Sequence, residues 1–260
     1  MVLFLCCRQY KMIMILVFGG TTEGKQVASF LDELLLPYYY STKTEVSFIG
    51  KGVPIFGEMT TKKIEEFCHE KKITHIINAS HPFAVELHET VASIETEISL
   101  IRFEREFTKR ISHKLVTYVN SFEEAISLFK EKKYHSLLAL SGVQTIKRLA
   151  PYWKSKKTWF RILDKNSSRA IASQANFPLN QLLYGYPQNV KEEVLLYKGL
   201  APEVIFTKES GVNGKLDQKI SAAMETQIPI VILKKPLLSN RYLCMNSIEE
   251  LNKKITEYIE

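Results

Sequence analysis

One loop near the start of the chain has the residue types of a phosphate-binding turn. It reads Gly19-Gly20-Thr21-Thr22-Glu23-Gly24, directly after the apolar run 13–18 and before a stretch with helical spacing. Glycines let the backbone turn sharply and approach a phosphate closely, and a helix N-terminus offers amides and a positive dipole end. The spacing differs from the three spaced glycines of the common dinucleotide fingerprint. We favour a nucleotide site, with a tight turn that binds nothing as the alternative.

The residues around the predicted second strand bear on the kind of cofactor. That strand is predicted at 44–49, and the sequence there continues Ser47-Phe48-Ile49-Gly50-Lys51-Gly52, without an acid. An NAD enzyme usually carries Asp or Glu at this point, which binds the ribose hydroxyls. Lys51 could pair with the additional phosphate of NADPH, and a solvated lysine in a turn is an equal alternative. We therefore expect NADPH, with NADH as the second candidate.

Two further loops follow predicted strands, where open α/β sheets bind ligands. In Asn78-Ala79-Ser80-His81-Pro82-Phe83-Ala84, His81 could donate a hydrogen bond or a proton, although a lone histidine in a loop is more often structural. In 207–215, glycines, a serine and two lysines could bind an anion, or could form a solvated glycine-rich loop. The spacing of this loop does not match a Walker A motif.

Ser141, Tyr152 and Lys156 reproduce the Ser…Tyr-x-x-x-Lys spacing of short-chain dehydrogenases. In those enzymes the tyrosine and the lysine share one face of a long helix, so that the lysine lowers the pKa of the tyrosine. Here Pro151 precedes the tyrosine and a strand is predicted from Thr158, which leaves the helix too short. Two functions stay open as alternatives at this point. One is a short-chain-like reductase, and the other is a dinucleotide sensor without catalysis.

The elements that must position these loops alternate between strands and helices, which is typical of parallel sheets. Ser121 with Glu124 predicts a capping box at the start of one helix. The predicted strands are 13–18, 44–49, 75–79, 99–103, 136–140, 158–163, 181–184, 203–207 and 229–233. The predicted helices are 23–36, 61–72, 83–94, 121–133 and 247–259.

This alternation predicts an α/β fold of two Rossmann-like domains, each with a mainly parallel sheet, and a cleft between them that binds ligands. The densely charged segment 104–114 predicts the linker. We interpret residues 1–11 as a dispensable N-terminal extension, 12–117 as a nucleotide-binding domain and 118–260 as a second α/β domain that binds the substrate.

The composition is that of an ordinary globular protein, with 45% hydrophobic and 24% charged residues among 260. The formal net charge of +7 suits a polyanionic ligand, although many cytoplasmic proteins without such a ligand are also rich in lysine. Four cysteines without a CxxC pair predict a reducing cytoplasm and no metal site. No apolar run reaches the roughly 20 residues of a membrane helix, and no nucleic-acid-binding motif occurs.

Taken together, the motifs resemble the precorrin-6A reductase family, including its cobalt-precorrin-6A branch. The matching segments occur in the family's order: Gly19-Gly20-Thr21-x-Glu23, His81-Pro82-Phe83-Ala84, Arg102-x-Glu104-Arg105, Lys208-x-Ser210-Gly211, Pro229-Ile230-Val231-Ile232 and Lys235-Pro236. Two positions depart from the family's pattern. Asn78 stands where the family usually has Asp, and Glu106-Phe107 stands where it often has Pro.

The resemblance implies an oxidoreductase of cobalamin (vitamin B12) biosynthesis that transfers a hydride from NADPH to a tetrapyrrole, the corrin precursor precorrin-6A or its cobalt form. It implies NADPH on the first domain and the macrocycle in the cleft. It also leads us to expect contacts with neighbouring enzymes of that pathway. Because the hydride comes from the cofactor, no protein nucleophile is required.

The roles that we assign on this resemblance are expectations for single residues. Those assigned to the pyrophosphate and ribose of the cofactor are Gly19, Gly20, Thr21 and Glu23. Lys51 is assigned to the additional phosphate, and Ser80 and His81 to the nicotinamide or the macrocycle. Those assigned to the carboxylates of the macrocycle are Lys208, Ser210, Gly211 and Lys215. His81 and bound water are equal candidates for the proton donor.

Overall fold

The computed structural model describes residues 13–211 and 214–259. Contacts divide the chain into two units. Unit 1 consists of the residues up to Arg105 together with Leu237–Glu260, and unit 2 is Glu106–Pro236. The interpretation of residues 1–11 as a dispensable extension lies outside the described residues.

The elements of both units alternate along the chain. The strands are β1 (Ile15–Phe18), β2 (Tyr38–Thr42), β3 (Val53–Phe56), β4 (His75–Asn78), β5 (Ser99–Phe103), β6 (Val116–Val119), β7 (Ser136–Leu140), β8 (Lys157–Ile162), β9 (Leu182–Tyr184), β10 (Val204–Lys208), β11 (Ile230–Leu233) and β12 (Leu243–Met245). The α-helices are α1 (Thr22–Glu33), α2 (Thr61–Glu70), α3 (Val85–Ala92), α4 (Phe122–Glu131), α5 (Ala150–Trp153), α6 (Asn166–Gln174), α7 (Val190–Leu200), α8 (Leu216–Glu225) and α9 (Ile248–Ile259).

Each unit contains a six-stranded sheet whose strand pairs are parallel. The order is β3-β2-β1-β4-β5-β12 in unit 1 and β9-β8-β7-β10-β11-β6 in unit 2. Both are the 3-2-1-4-5-6 order of the Rossmann fold, except that the sixth strand comes from another part of the chain. The predicted fold class, two Rossmann-like α/β domains with mainly parallel sheets, is confirmed. The predicted cleft between them stays a prediction.

The central strands of unit 1 are apolar on both faces because helices cover both sides of the sheet. Ile15 and Val17 of β1 pack in one cluster with residues of α1 and α9. Leu16 and Phe18 point to the other face and pack with residues of α2 and α3. This alternation follows from the two-residue period of a strand, and it fixes the register that places the loop after β1.

The second strand is Tyr38–Thr42, so the prediction of a strand at 44–49 is wrong. Tyr38 pairs with Ile15 of β1, and residues 43–47 are exposed. β3 (Val53–Phe56) was not predicted either. Three successive tyrosines lack the aliphatic pattern of a buried strand, whereas Val46 and Phe48 alternate as strand residues do, which explains the error.

The predicted domain boundaries, 12–117 and 118–260, differ from the two units in two places. β6 pairs with β11, so residues 106–117 belong to unit 2. β12 pairs with β5, so residues 237–260 belong to unit 1. Neither β6 nor β12 was predicted, because pairing between strands far apart in the sequence leaves no local signal.

The other predicted strands agree with β1, β4, β5 and β7 to β11 to within two residues, and the predicted helices with α1, α2, α3, α4 and α9 to within three. The capping box is half confirmed. Ser121 accepts a hydrogen bond from the Glu124 amide at 3.0 Å, but the Glu124 carboxylate accepts from the Asn120 amide instead of the Ser121 amide. Among the described residues, no helix has both the length and the apolar character needed to cross a membrane.

Candidate functional site

Two of the predicted ligand loops lie side by side at the carboxyl edge of the sheet in unit 1. The strand order reverses between β1 and β4, which is where sheets of this order bind ligands. The glycine loop follows β1, and the Ala79–Phe83 loop follows β4. The Thr21 hydroxyl joins them by donating a hydrogen bond to the Ala79 carbonyl oxygen at 2.7 Å.

The shape of the glycine loop depends on Tyr40 of β2. The Tyr40 hydroxyl accepts a hydrogen bond from the Gly20 amide at 3.0 Å, and its ring stacks on Phe48 with centroids 4.2 Å apart. A Cβ on Gly19 or on Gly24 would overlap the Tyr40 side chain. Gly20 itself has a φ of 87°, which only glycine adopts readily. The glycines are therefore required by a neighbouring aromatic side chain as well as by the turn.

The loop opens directly into α1, which begins with a regular N-cap. The Thr21 hydroxyl accepts from the Gly24 amide at 3.0 Å. The first amides of a helix have no acceptor within the helix and carry its positive dipole end. Gly20 and Thr22 are exposed there. The turn fits the pyrophosphate of a dinucleotide, because exposed backbone and helix amides meet at one point.

Glu23, which we assign to the ribose, has a different partner in the structure. Its buried carboxylate pairs with Arg105 at 2.7 Å, just beyond the end of β5. The negative charge in the first turn also suits the helix dipole. The pair connects the start of α1 to β5, and Arg105 belongs to the Arg102-x-Glu104-Arg105 segment of the resemblance.

Lys51 lies at the opposite, amino edge of the sheet, away from the glycine loop. Its amide and Nζ donate to the carboxylate and the carbonyl of Asp32 at 3.0 and 3.3 Å, at the end of α1. The assignment to the additional phosphate depended on a strand that ends near residue 49, and the true second strand ends at Thr42. The exposed Lys43 stands at that end and pairs with Glu58 at 2.9 Å. The acid-free segment therefore does not follow the second strand, and an exposed Glu45 does.

Asn78, at the end of β4, is the centre of a buried hydrogen-bond network. Its Oδ1 accepts from the Ser80 amide at 3.2 Å, the Ser80 hydroxyl at 2.7 Å and the Arg102 guanidinium at 3.1 Å. Arg102 is completely buried and donates to the carbonyl oxygens of Asn78 and Ser80, both at 2.9 Å. Its charge is compensated by the buried Glu104 at 3.2 Å. Asn78 is uncharged and stands at the position where a carboxylate was expected from the resemblance. In this chain the positive charge of Arg102 is instead compensated by Glu104.

Ser80 and His81 are adjacent in sequence but lie in different surroundings. Ser80 is buried, and its hydroxyl is bound inside the network, so it shapes the loop from below. His81 is exposed at the carboxyl edge, and its Nδ1 accepts from the Phe83 amide at 3.1 Å. The neutral ring therefore carries its proton on Nε2. α3 begins at Val85, so His81 and Pro82 lie in the loop ahead of the helix.

The predicted anion loop lies at the matching edge of unit 2. Here the strand order reverses between β7 and β10, and the Thr207 hydroxyl donates to the Leu140 carbonyl oxygen at 3.1 Å. Lys208 ends β10, Gly211 has a φ of 67°, and Lys215 is exposed at the start of α8. Residues 212 and 213 of the loop lie outside the described residues. The loop after β7, beginning Ser141-Gly142, belongs to the same edge.

Burial affects two lysines at this edge. It lowers the pKa of Lys208 to about 8. Lys219 of α8 is almost completely buried and donates to the Thr207 hydroxyl at 3.3 Å. Burial, together with the nearby charge of Arg161, lowers the pKa of Lys219 to about 7. Burial thus disfavours the charged forms of both lysines, and an anion bound beside them would stabilise those forms.

The same loop contains a buried acid, Glu209. Its carboxylate accepts from the Arg110 guanidinium at 2.8 and 3.0 Å and from the Lys235 amide at 2.8 Å. Burial alone would raise the pKa of Glu209, but these bonds hold it below its usual value. Ser210 lies under Gly214, where a Cβ would overlap its hydroxyl. The start of this loop is thus held in place by hydrogen bonds within unit 2.

The short-chain spacing is not a site. Tyr152 lies in a four-residue helix, is buried, and donates to the Tyr134 carbonyl oxygen at 2.9 Å. Burial raises its pKa to about 12, the opposite of what that chemistry needs. Lys156 Nζ lies 3.0 Å from His135 Nδ1, and the Ser141 hydroxyl pairs with Thr145 at 2.7 Å. None of these hydrogen bonds joins Ser141, Tyr152 and Lys156 to one another. The short-chain alternative is therefore rejected.

Several residues of these edges were missed from the sequence. Lys43 follows a strand that was misplaced, and correct placement would have indicated it. Tyr40 carries no motif of its own, although a tyrosine opposite a double glycine is a usable signal. Arg110 and Glu209 meet across a separation of 99 residues, and no local pattern predicts such a pair.

The fold and the two loop edges define a class, the Rossmann-type α/β proteins with a glycine-rich turn between the first strand and the first helix. Residues 14–256 match the family described as Precorrin-6x reductase CbiJ/CobK. The chain belongs to the precorrin-6x reductase family, a family of enzymes. Reductases of this kind imply a nicotinamide cofactor and a tetrapyrrole substrate.

Named relatives agree with the family. The chain is 27% identical over 252 residues to the cobalt-precorrin-6A reductase of Methanocaldococcus jannaschii, covering 93% of this chain and 97% of that protein. It is 30% identical over 234 residues to the cobalt-precorrin-6A reductase of Priestia megaterium, covering 86% and 91%. A solved structure described as CobK precorrin-6A reductase superimposes with a TM-score of 0.74 at 18% identity, covering 95% of this chain and 97% of that one, and supports the fold.

Proposed function

We propose that this protein reduces one double bond of a precorrin-6A-type macrocycle, with or without cobalt, using NADPH, during cobalamin biosynthesis. The observation that carries the proposal is the turn at Gly20–Thr22, where exposed residues and the N-terminus of α1 meet at the switch point of the unit 1 sheet. Membership of the reductase family supports the reaction. The cytoplasmic location and contacts with neighbouring enzymes of the pathway stay predictions.

When bound, the nicotinamide supplies a hydride to one carbon of the macrocycle double bond. A proton from water or from His81 goes to the neighbouring carbon, so that two electrons and one proton balance the oxidation of NADPH to NADP⁺. The chain's own part is to bind and orient. Amides of the glycine loop bind the pyrophosphate, and the network around Asn78 fixes the loop that carries His81.

We assign the preference for NADPH over NADH to the residues at the end of β2. Thr42 and Lys43 stand where Rossmann enzymes contact the ribose, and an ammonium there suits the additional phosphate. Glu58 contacts Lys43 through an exposed pair, which contributes little in water and can be exchanged for a phosphate.

Lys43→Ala should raise the KM for NADPH about tenfold, because one charge-assisted contact is lost, and leave the KM for NADH unchanged. Lys51→Ala is the matched control, since Lys51 lies at the other edge of the sheet and should change neither value. Steady-state kinetics with both cofactors measure this. Equal effects of the two substitutions, or an effect of Lys51→Ala alone, would contradict the placement.

We assign the macrocycle carboxylates to the carboxyl edge of unit 2. Lys208 and Lys219 support this assignment, because a carboxylate beside them would stabilise their protonated forms. Anaerobic NADPH oxidation with precorrin-6A, and in parallel with its cobalt form, tests the reaction. Oxidation that depends on the macrocycle is expected. Protein that binds NADPH but oxidises it with neither substrate would be a sensor rather than a reductase.

A further inference from the structure

The segment that follows unit 2 returns to unit 1 and attaches beside the proposed cofactor edge. β12 pairs with β5, and the Glu104 amide, just past the end of β5, donates to the Met245 carbonyl oxygen at 2.9 Å. Arg241 donates to the carbonyl oxygens of Ala92 and Ile94 at 2.6 Å, at the end of α3. The segment is therefore fixed to both β5 and α3.

Between these two attachments, the buried hydroxyl of Tyr242 enters the network around Asn78. The Asn78 Nδ2 donates to this hydroxyl at 3.0 Å, and the hydroxyl donates to the His88 carbonyl oxygen at 2.9 Å. The direction of the bond between Asn78 and Tyr242 follows from the other partners of Asn78. The Ser80 amide and the Arg102 guanidinium can only donate, so both face the Asn78 Oδ1 and leave Nδ2 for Tyr242.

The same reasoning fixes the next bonds. The Ser80 hydroxyl donates to the Asn78 Oδ1 at 2.7 Å, so it can only accept from His88 Nε2 at 3.3 Å. Burial and the charge of Arg102 lower the pKa of His88 to about 3, and the ring is neutral at pH 7. Tyr242 thus holds the network at two points, at Asn78 and at the first half of α3.

We propose that Tyr242 is a positioning residue for the cofactor: its hydroxyl holds Asn78 through Nδ2 and so supports the loop after β4, whose Ala79 carbonyl accepts a hydrogen bond from Thr21 of the glycine loop. The chain of contacts runs from Tyr242 through Asn78 and the adjoining Ala79 to Thr21. The C-terminal segment is then part of the cofactor site without touching the cofactor. The inference rests on the proposed binding of NADPH at the edge of unit 1.

A matched pair of substitutions tests the inference. Tyr242→Phe and Tyr258→Phe each remove one hydroxyl from the C-terminal segment. The Tyr258 hydroxyl lies 3.1 Å from the Ser99 hydroxyl at the amino end of β5, away from the cofactor edge. Tyr242→Phe should raise the Kd for NADPH about tenfold, because the Asn78 Nδ2 loses its buried acceptor and the end of β4 shifts, while Tyr258→Phe should change it less than about twofold. The kcat at saturating NADPH should stay within about twofold of wild type for both.

Thermal unfolding of both variants provides the structural control, since each should lower the Tm by a comparable few degrees. If Tyr242→Phe does not fold, hydrogen exchange of the wild type decides. Because coupling is reciprocal, NADPH should slow amide exchange in residues 79–84 and 240–245 but not in 252–258.

The outcomes separate two failures. A wild type that does not bind NADPH would overturn the proposed function itself. A wild type that binds NADPH, with equal Kd values for wild type and Tyr242→Phe, or with unchanged exchange at 240–245, would overturn the role of Tyr242 alone.

Discussion

The two units share one strand order but present different chemistry at the same topological point. After β1, unit 1 has a glycine loop that opens into a twelve-residue helix, and backbone amides are the groups that we propose to bind the cofactor. After β7, unit 2 has Gly142 and a three-residue 3₁₀ turn, and its ionisable groups are the half-buried Lys208 and the buried Lys219. One edge uses the main chain, and the other uses ammonium groups.

The difference predicts different responses to perturbation. Amides do not titrate, so anion binding in unit 1 depends on the shape of the turn and not on protonation of its donors. Ammonium groups with lowered pKa values titrate near neutral pH, so anion binding in unit 2 depends on pH. In unit 1, the packing of Tyr40 against the glycines sets the shape of the turn. In unit 2, burial sets the pKa values of Lys208 and Lys219.

The largest expected effect is that of Gly19→Ala. Its Cβ would overlap the Tyr40 ring, and because the displaced ring would release the Gly20 amide, the Kd for NADPH should rise more than about a hundredfold. Fluorescence titration measures this.

Gly199→Ala in α7 is the control, because a Cβ there meets nothing within 4 Å. It should leave the Kd unchanged and raise the free energy of unfolding by about 0.5–1 kcal/mol, since alanine favours the helix. If Gly19→Ala bound NADPH like wild type, the main-chain account of unit 1 would be wrong.

A smaller effect is expected at Lys208. Its pKa is lowered to about 8, so the group is a cation below that pH and loses its charge above it. Affinity for the macrocycle should therefore fall as the pH rises through about 8. Lys208→Met should weaken macrocycle binding about tenfold at pH 7, and the difference from wild type should nearly vanish by about pH 9.

Lys215→Met, at the exposed end of the same loop, is the comparison and should weaken binding less than about threefold. Equilibrium binding of the macrocycle between pH 6 and pH 9 decides. If Lys208→Met weakened macrocycle binding equally at every pH, the charge of Lys208 would not contribute to that binding.

The smallest effect is expected for Tyr152→Phe. The substitution removes one hydrogen bond to the Tyr134 carbonyl, so the free energy of unfolding should fall by about 1 kcal/mol. The kcat and KM should not change, because Tyr152 is buried in a short helix away from both loop edges. Denaturant unfolding and steady-state kinetics measure the two quantities. A loss of kcat by orders of magnitude would revive the short-chain alternative.

The contrast between the units also explains what the sequence could predict. The loops after β1, β4 and β10 were found because each follows a short apolar strand, and the signal is local. Lys51, and not Lys43, was assigned to the additional phosphate because the second strand was misplaced. Its three tyrosines lack the aliphatic pattern of a buried strand. The bond from Asn78 to Tyr242 spans 164 residues. β12 likewise pairs with β5, which is far from it in the sequence, so neither contact has a local pattern. Glu23 was assigned with the glycine loop to the pyrophosphate and ribose of the cofactor, and its ion pair with Arg105, 82 residues away, has no local pattern either.

The most direct test of the central claim is transfer of a label from the cofactor to the macrocycle. NADPH deuterated at C4 of the nicotinamide, in each of its two stereochemical forms, would be incubated anaerobically with the wild-type protein and the macrocycle, and the product analysed by mass spectrometry. One of the two forms should place a single deuterium in the reduced macrocycle, while the other yields unlabelled product. Reduced macrocycle without deuterium from either form would contradict direct hydride transfer from NADPH.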